Sequence, residues 1–279
     1  MALIRSSTRM ADVVAASAGE LAVMSFTNIE RLKNEHPRIA VKLIVLLTES
    51  TLRKLQDTEK ALQVERERLE FLLENIFPKS IVARLKQGQD LIAENFDEVT
   101  ILFADIVGFT RLAQQLQPID LVNLLNEIFS IFDLLTDKYG LEKIKTIGDA
   151  YMVVGGLPVP TDNHAEAVAE MAIEMQAAMS QFQSRLAHPL QLRIGINTGE
   201  AIAGVIGMKK FTYDLWGDAV NVASRMEFLG VPGKIQVTDV TYVRLKDKYL
   251  FEKRGKIEVK GKGEMTTYWL IGKKDNGSI

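Results

Sequence analysis

Between residues 99 and 110 the chain reads Val99-Thr-Ile-Leu-Phe-Ala-Asp-Ile-Val-Gly-Phe-Thr110, and the rest of the fold can be worked out from this stretch. Its first half has almost no polar side chains, which is typical of a central strand covered on both faces. One carboxylate, Asp105, follows at the strand end, and Gly108 then permits a tight turn. Thr110 stands where the N-cap of the next helix is expected. The stretch therefore predicts a buried strand that brings one acid to a turn and a helix N-terminus.

A second acid lies in the stretch Lys143-Ile-Lys-Thr-Ile-Gly-Asp-Ala-Tyr-Met-Val-Val-Gly-Gly156. Two apolar-rich runs flank Gly148-Asp149, a pattern that predicts a hairpin turn. Either acid alone can be a simple turn residue. Asp105 and Asp149 together predict a pair of carboxylates for divalent cations, since Mg²⁺ needs only one or two carboxylates plus phosphate oxygens. Backbone N–H groups at the helix N-terminus would receive the phosphate.

Composition sets limits on the kind of protein. The chain has 279 residues, 47% of them hydrophobic and 25% charged, which suits one substantial domain with accessory segments. The net charge of −2 gives no reason to expect a nucleic-acid partner. Without cysteine there is no disulfide, thiolate zinc site or cysteine nucleophile. The three histidines, His36, His164 and His188, lack the spacing of metal ligands.

Neither a signal peptide nor a membrane span is predicted. Arg5 and Arg9 interrupt the early segment, and no apolar core follows them. The longest apolar run, Ile39 to Leu47, contains Lys42 and is far shorter than the ~20 residues that a span needs. We therefore expect no integral membrane segment and a cytoplasmic location.

Residues 1–50 read as a separate, partial regulatory segment. Three pieces resemble the last third of a cyclic-nucleotide-binding domain: Arg9-Met-Ala-Asp-Val-Val-Ala15, Gly19-Glu-Leu-Ala-Val-Met-Ser25 and Glu30-Arg-Leu-Lys-Asn-Glu-His-Pro37. Met10 stands where that family usually has serine. The preceding strands and the Gly-Glu of the phosphate cassette are absent, so the resemblance implies a remnant of a sensor domain that does not bind a cyclic nucleotide by itself.

Residues 51–77 have the pattern of a parallel coiled-coil signalling helix. Charged residues, Glu59 and Arg66, interrupt one of the two core positions, which favours a weak, register-tolerant coil. A single solvated amphipathic helix is the alternative, because the run covers only roughly three to four heptads. Pro78 ends it, and residues 78–97 form a connector. The heptad positions are Leu55, Leu62, Leu69 and Ile76 at one core site, with Leu52 and Leu73 at its partner.

From residue 98 to residue 272 strand and helix patterns alternate, and a tail covers 273–279. Hairpins mixed with helices predict an α+β fold, a ferredoxin-like sandwich. A methionine stripe at residues 171, 175 and 179 indicates core packing. The patterns predict helices at Leu121–Tyr139, His164–Leu186 and Asp218–Phe228, two strands at Leu192–Asn197 and Ala201–Ile206 joined by a turn at 198–200, a strand at Lys234–Thr238, and closing strands at Ile257–Val259 and Thr267–Ile271.

Four motifs occur together and in order over residues 98–270. They are Phe103-Ala-Asp-Ile-Val-Gly-Phe-Thr110, Lys145-Thr-Ile-Gly-Asp-Ala-Tyr-Met152, Tyr213-Asp-Leu-Trp-Gly-Asp-Ala-Val-Asn-Val-Ala-Ser-Arg-Met226 and Val259-Lys-Gly-Lys-Gly263. Together they resemble the catalytic domain of class III nucleotidyl cyclases, of the adenylate cyclase type.

The resemblance implies a homodimer with active sites in the groove between protomers. It implies two Mg²⁺ or Mn²⁺ ions at Asp105, Ile106 and Asp149, with Gly108, Phe109 and Thr110 on the substrate. The reaction would be in-line attack of the ribose 3′-hydroxyl on the α-phosphate of ATP, with pyrophosphate leaving.

Lys145 and Asp214 are the expected base-reading residues. Lysine only donates hydrogen bonds, and an ionised aspartate only accepts them. Adenine offers an acceptor at N1 and a donor at N6, so the pair complements adenine. Guanine would favour an acid at position 145, where guanylate cyclases are expected to carry glutamate. ATP is therefore the predicted substrate and guanylate cyclase activity the alternative.

Asn221 and Arg225 are four residues apart and share one helix face. By resemblance, Asn221 positions the ribose and Arg225 stabilises charge on the α-phosphate, while Arg193 and Lys260 contact the triphosphate. Their alternative is an exposed helix face and two surface cations. A non-catalytic nucleotide-binding regulator would lack one of the motif acids or arginines, and none is missing. Lys262 is expected to face solvent, and Trp216 to lie in the core.

Overall fold

The computed structural model describes residues 26–89, 91–182, 190–207 and 209–274. The chain divides into two units, Met1–Leu72 and Leu73–Ile279. Two of the three pieces that resemble a cyclic-nucleotide-binding domain, in residues 9–25, lie outside the described residues. That resemblance therefore stays a prediction.

The described part of the first unit consists of α1 (Phe26–Glu35) and of α2 (Pro37–Glu74) as far as Leu72. Proline at the start of α2 is favoured because its missing N–H has no partner there in any case. With ~1.5 Å per residue, the 38-residue α2 is about 57 Å long. Four of the predicted heptad leucines, Leu52, Leu55, Leu62 and Leu69, lie on it with exposed side chains, Leu62 at 65%. The fifth, Leu73, is half-buried and is the first residue of the second unit.

The second unit contains the remaining elements. They are α3 (Lys79–Lys86), β1 (Ile92–Ile106), α4 (Phe109–Ala113), α5 (Pro118–Tyr139), β2 (Glu142–Ile147), β3 (Ala150–Gly155), α6 (His164–Ala178) with a following 3₁₀ turn (Met179–Phe182), β4 (Leu192–Ile206), β5 (Thr212–Trp216), α7 (Asp218–Phe228), β6 (Ile235–Thr238), α8 (Asp239–Leu245), β7 (Tyr249–Val259) and β8 (Gly263–Lys273).

One sheet has the strand order β2-β3-β1-β4-β6-β8-β7. Strand β5 pairs with the C-terminal part of β4, from Ile202 to Ile206. The first four strands, with α5 between β1 and β2 and α6 between β3 and β4, form a β-α-β-β-α-β unit. Their order in the sheet is 2-3-1-4, which is the ferredoxin-like arrangement. The predicted α+β class and ferredoxin-like core are confirmed.

Strand β1 is buried on both faces, as its sequence predicts. Leu102 and Ile106 point to one core, which α5 and α6 cover. Ile101 and Phe103 point to the other core, which contains Ala219 and Ala223 of α7. The methionine stripe on α6 and the 3₁₀ turn is fully buried in the first of these cores, so its predicted packing role is confirmed.

Strand β4 corrects the sequence analysis. Two strands with a turn at 198–200 were predicted, but β4 is one strand that pairs with β1 from Ile92 to Ile106 across a single bulge. The polar run looked like a turn because its tertiary partners could not be seen. Thr198 is buried and contacts the Thr100 hydroxyl at 2.8 Å, so its side chain is satisfied inside the sheet.

Three smaller expectations were also wrong. Gly108, at φ 79°, is the N-cap of α4, because a left-handed turn precedes the helix, and Thr110 lies inside it. Helix α6 ends at Ala178 rather than at Leu186, and residues 183–189 lie outside the described range. Trp216 is 39% exposed, because β5 pairs only with β4 among the described strands.

No helix within the described ranges is both long enough and apolar enough to cross a bilayer.

Candidate active site

Asp105 and Asp149 meet at one end of the sheet. Asp105 is the penultimate residue of β1 and is paired in register with Ala150, the first residue of β3. Asp149 precedes Ala150 in the β2–β3 turn, where Gly148 adopts φ 62°. The predicted hairpin turn is therefore observed, and it sets the second acid beside the first.

The two carboxylates affect each other. Burial raises the pKa of Asp149, and the charge and hydrogen bonding of the neighbouring Asp105 raise this pKa further. Neighbouring like charges favour a proton or a cation between them. The donors are all oxygen, which suits a hard divalent cation. The Ile106 side chain is a hydrocarbon and is buried in the core, and only the backbone carbonyl of this residue has an oxygen that could add a ligand.

Arg193 completes an acid cluster, which we define as Asp105, Asp149, Arg193 and Glu227. Arg193 is the register partner of Asp105 on β4, and its Nη2 lies 3.1 Å from Asp105 Oδ2. Its Nε donates to Glu227 Oε1 at 2.6 Å. Arg193 is thus a partly buried, doubly paired cation at the acids rather than an isolated surface charge.

Glu227 was missed by the sequence analysis. It is buried on α7, and burial raises its pKa while Arg193 opposes this shift. A signal was present in the sequence: residue 227 is eight after Ala219 and four after Ala223, so helical spacing puts it on the buried face. A carboxylate on such a face needs a partner.

The turn after Asp105 leads directly into α4. The N–H groups of Arg111 and Leu112 donate to Gly108 O at 3.1 and 3.2 Å. The N–H groups of Phe109 and Thr110 come before these first intrahelical bonds, as at any helix start. Gly108, Phe109 and Thr110 therefore offer backbone donors three to five residues beyond Asp105.

Lys145 and Asp214 are brought together from distant parts of the chain. Lys145 lies on β2 and Asp214 on β5, and Lys145 Nζ is 2.5 Å from Asp214 Oδ2. The other carboxylate oxygen accepts the Leu215 N–H at 2.8 Å, which fixes the carboxylate plane. The pair is partly buried and electrically balanced, and it exposes a donor and an acceptor side by side.

Helix α7 carries Asn221 and Arg225 in adjoining turns of one face, with Asn221 exposed and Arg225 partly buried. Lys260 lies in the β7–β8 turn. That turn is held at the start of α7, because Lys262 Nζ contacts Asp218 Oδ2 at 2.6 Å. Lys262 thus has a partner as well as solvent contact.

Among the residues that the structure describes, no group of three or more histidine, cysteine, aspartate or glutamate side chains could hold a metal ion. Asp105 and Asp149 are two carboxylates, a number that suits Mg²⁺ when phosphate oxygens supply further ligands.

Comparison with known proteins identifies the family. The sequence model of one protein family, the adenylate and guanylate cyclase catalytic domain, matches residues 91–272. The chain belongs to this family.

The relatives of this cyclase chain include enzymes named for both nucleotides. An adenylate cyclase of Mycobacterium bovis (strain ATCC BAA-935 / AF2122/97) is 49% identical over 224 residues, which are 79% of this chain and 51% of that protein. Human guanylate cyclase soluble subunit beta-2 is 45% identical over 220 residues, which are 78% of this chain and 36% of that protein. The chain thus spans about half the length of the mycobacterial relative and about a third of the length of the human one.

A solved structure agrees with the fold. The guanylate cyclase domain of RhGC from Catenaria anguillulae, crystallised in complex with GTP, superimposes with a TM-score of 0.63 at 35% identity. The superposition covers 65% of this chain and all of that one. The chain therefore carries the catalytic domain of the adenylate and guanylate cyclase family, and its relatives include enzymes named for either nucleotide.

Proposed function

We propose that this cyclase converts ATP to 3′,5′-cyclic AMP and pyrophosphate, as a homodimer with two sites. The observation that carries the choice of ATP is the 2.5 Å contact between Lys145 and Asp214. The ammonium would donate to adenine N1, and the carboxylate would accept from the N6 amino group. A guanine in the same place would set its N1–H and N2 donors against the lysine.

Asp105, Asp149 and the Ile106 carbonyl would hold two Mg²⁺ or Mn²⁺ ions. When bound, these ions would lower the pKa of the ribose 3′-hydroxyl and neutralise the triphosphate. Burial, and then the negative charge of Asp105, raise the pKa of Asp149, which supports this assignment because a bound cation would offset both effects.

The chain's own groups would do the rest. The bond from the 3′-oxygen to the α-phosphorus forms while the bond to the β-phosphate oxygen breaks, and the 3′-hydroxyl proton is lost. Asn221 would orient the ribose, and Arg225 would stabilise the charge on the α-phosphate. The backbone at 108–110, with Lys260, would hold the leaving pyrophosphate oxygens.

We infer the dimer from the way these groups form two clusters on one chain. The acid cluster and the Lys145–Asp214 pair are built from different elements. In a twofold dimer, each of the two grooves between protomers would contain one acid cluster and one Lys145–Asp214 pair. We assign the metal half of a site to one protomer and the base-reading half to its partner. The exposed leucine stripe on α2 supports pairing through a parallel coiled coil.

The second candidate is guanylate cyclase, and the 45% identity to a guanylate cyclase subunit favours it. Turnover of ATP and GTP, measured side by side with Mg²⁺ and with Mn²⁺, separates the two. We expect cyclic AMP as the main product with either ion. Preferential cyclic GTP formation would reject the base assignment, and no cyclic nucleotide from either substrate would reject the enzyme.

A further inference from the structure

Helix α7 lies against β4 along alternate residues of the strand. A Cβ added at Gly195 would come within 1.9 Å of the Glu227 backbone nitrogen, and one added at Gly199 would meet the Ala219 Cβ at 3.1 Å. The glycines therefore let the helix backbone approach the strand at both ends of their contact. Close packing of this kind limits the distance from strand to helix, but it does not by itself stop the helix from sliding along the strand.

Asn197 lies between these glycines and supplies a directional contact. It is 5% exposed, and its Nδ2 donates to the Ala219 carbonyl in the first turn of α7 at 3.0 Å. Its Oδ1 accepts from the Thr238 hydroxyl at 2.7 Å. Since the Ala219 carbonyl can only accept a hydrogen bond, the N–H side of the carboxamide must face it, and the carboxamide oxygen then accepts from the Thr238 hydroxyl.

The Thr238 hydroxyl is itself part of a buried polar chain. Transfer of such groups from water is unfavourable unless each one finds a partner, and a connected set of partners has few alternative arrangements. Residues of β1, β4, β6 and α8 and the first residue of α6 supply the members. From α7 outward the contacts are Thr238–Thr241 at 3.2 Å, Thr241–Thr198 at 3.0 Å, Thr198–Thr100 at 2.8 Å, Thr100–His164 Nδ1 at 2.8 Å and His164 Nε2–Glu98 at 3.1 Å.

We propose that Asn197 is a positioning residue that sets where α7 stands along β4, and thereby where Asn221 and Arg225 stand. Asn221 is two residues beyond the carbonyl that Asn197 holds, and Arg225 is six beyond it. The buried threonine chain keeps the carboxamide in the one orientation that can make this contact. The inference rests on the proposed function, because it assigns the role of Asn197 through two residues of that site.

The test is Asn197→Asp. The two side chains have the same shape, and the variant still accepts from Thr238, but an oxygen replaces the N–H that faces Ala219 O. We expect kcat for ATP to fall by about 10²-fold, the scale of a small misplacement of catalytic groups. The KM for ATP should change little, because Lys145 and Asp214 lie on other elements.

Two further variants keep the test decisive if Asn197→Asp folds poorly. Thr238→Val leaves Asn197 in place but removes the hydroxyl that orients it, so we expect a smaller loss of kcat in the same direction. Thr136→Val is the matched control. Thr136 is equally buried and bonds Tyr151 at 3.0 Å on the opposite side of the sheet from α7, so kcat should stay at the wild-type value.

Coupling to Arg225 separates positioning from a general structural role. If Asn197 acts through α7, Asn197→Asp should cost much less in an Arg225→Ala background than in the wild type. If the kcat loss of the double variant equals the product of the two single-variant losses, the proposal is overturned. Wild-type kcat in folded Asn197→Asp would overturn it as well.

Amide hydrogen exchange tests the contact without any enzyme assay. Asn197→Asp should speed exchange in the first turns of α7, and Thr136→Val should not. Unchanged exchange in α7 would overturn the proposal even in an active enzyme. If Asn197→Asp exchanges faster in α7 but the wild-type chain makes no cyclic nucleotide, the proposed function is rejected and the hold of Asn197 on α7 is retained.

Discussion

The acid cluster and the Lys145–Asp214 pair are both charged, but their charges are balanced differently. The acid cluster contains three carboxylates and one guanidinium, and burial and like-charge contact raise the pKa of two of its acids. The pair contains one cation and one anion in contact. An excess of negative charge calls for an added cation, whereas a balanced pair can read a neutral base without one. This difference supports the proposal that metal ions and phosphate bind at the first cluster and the base at the second.

The largest effect should come from the acid cluster. Asp105→Ala removes one of the two carboxylates for the ions, and we expect kcat/KM for ATP to fall by about 10³-fold or more. Mg²⁺ with a non-reactive ATP analogue should raise the melting temperature of the wild type and not that of the variant. Asp247→Asn, an exposed acid in the turn before β7, is the control. Full turnover by Asp105→Ala would contradict the metal assignment.

A change in the pair should alter the choice of nucleotide rather than abolish the chemistry. Lys145→Glu replaces the donor that adenine N1 needs, and the ATP-to-GTP ratio of kcat/KM should fall by about 10³-fold. Lys143→Glu is a matched control, because Lys143 lies two residues earlier on the same strand and is also paired with an aspartate, Asp133, at 2.7 Å. An equal shift of the ratio in both variants would mean that charge on β2, not contact with the base, sets the preference.

The smallest expected effect is on stability. It distinguishes the acid cluster from a second pair of neighbouring acids, Glu142 and Asp137. Burial, and then the nearby Asp137, raise the pKa of Glu142 to about 7 from its ordinary 4.5. Between these two values the folded chain keeps a proton that the unfolded chain has lost. The free energy of unfolding should therefore fall, by roughly 2–3 kcal/mol, as the pH rises through this window.

Glu142→Gln should remove this slope, as measured by urea unfolding at pH 5, 6 and 7. The raised pKa of Asp149 acts in the same direction, but Mg²⁺ should suppress its share, because a bound cation replaces the proton. If the unfolding free energy of Glu142→Gln still falls with pH, and this fall disappears when Mg²⁺ is added, Asp149 rather than Glu142 causes it.

Local patterns in the sequence predicted much of this fold. The bounds of α7, the β2–β3 turn at Gly148-Asp149 and the buried methionines of α6 depend on near neighbours along the chain, so periodicity and turn chemistry were sufficient. The ferredoxin-like arrangement followed from the alternation of hairpins and helices.

What the sequence could not show depends on contacts between distant residues. The strand was predicted to end at Asn197 and a turn to begin at Thr198, because polar residues inside a strand make sense only with their partners. Those partners are Ala219, Thr238 and Thr100. The double pairing of Arg193 joins residues from β1, β4 and α7. No spacing rule predicts such a contact.

Mixing two inactive variants tests most directly whether the acid cluster and the pair are the two halves of one site. Asp105→Ala and Lys145→Glu should each be inactive on ATP. Random pairing at equal amounts makes half of the dimers mixed, and each mixed dimer regains one of its two sites, so about one quarter of wild-type activity should return. If mixed dimers form and activity stays at the sum of the separate variants, the two clusters do not share a site between protomers.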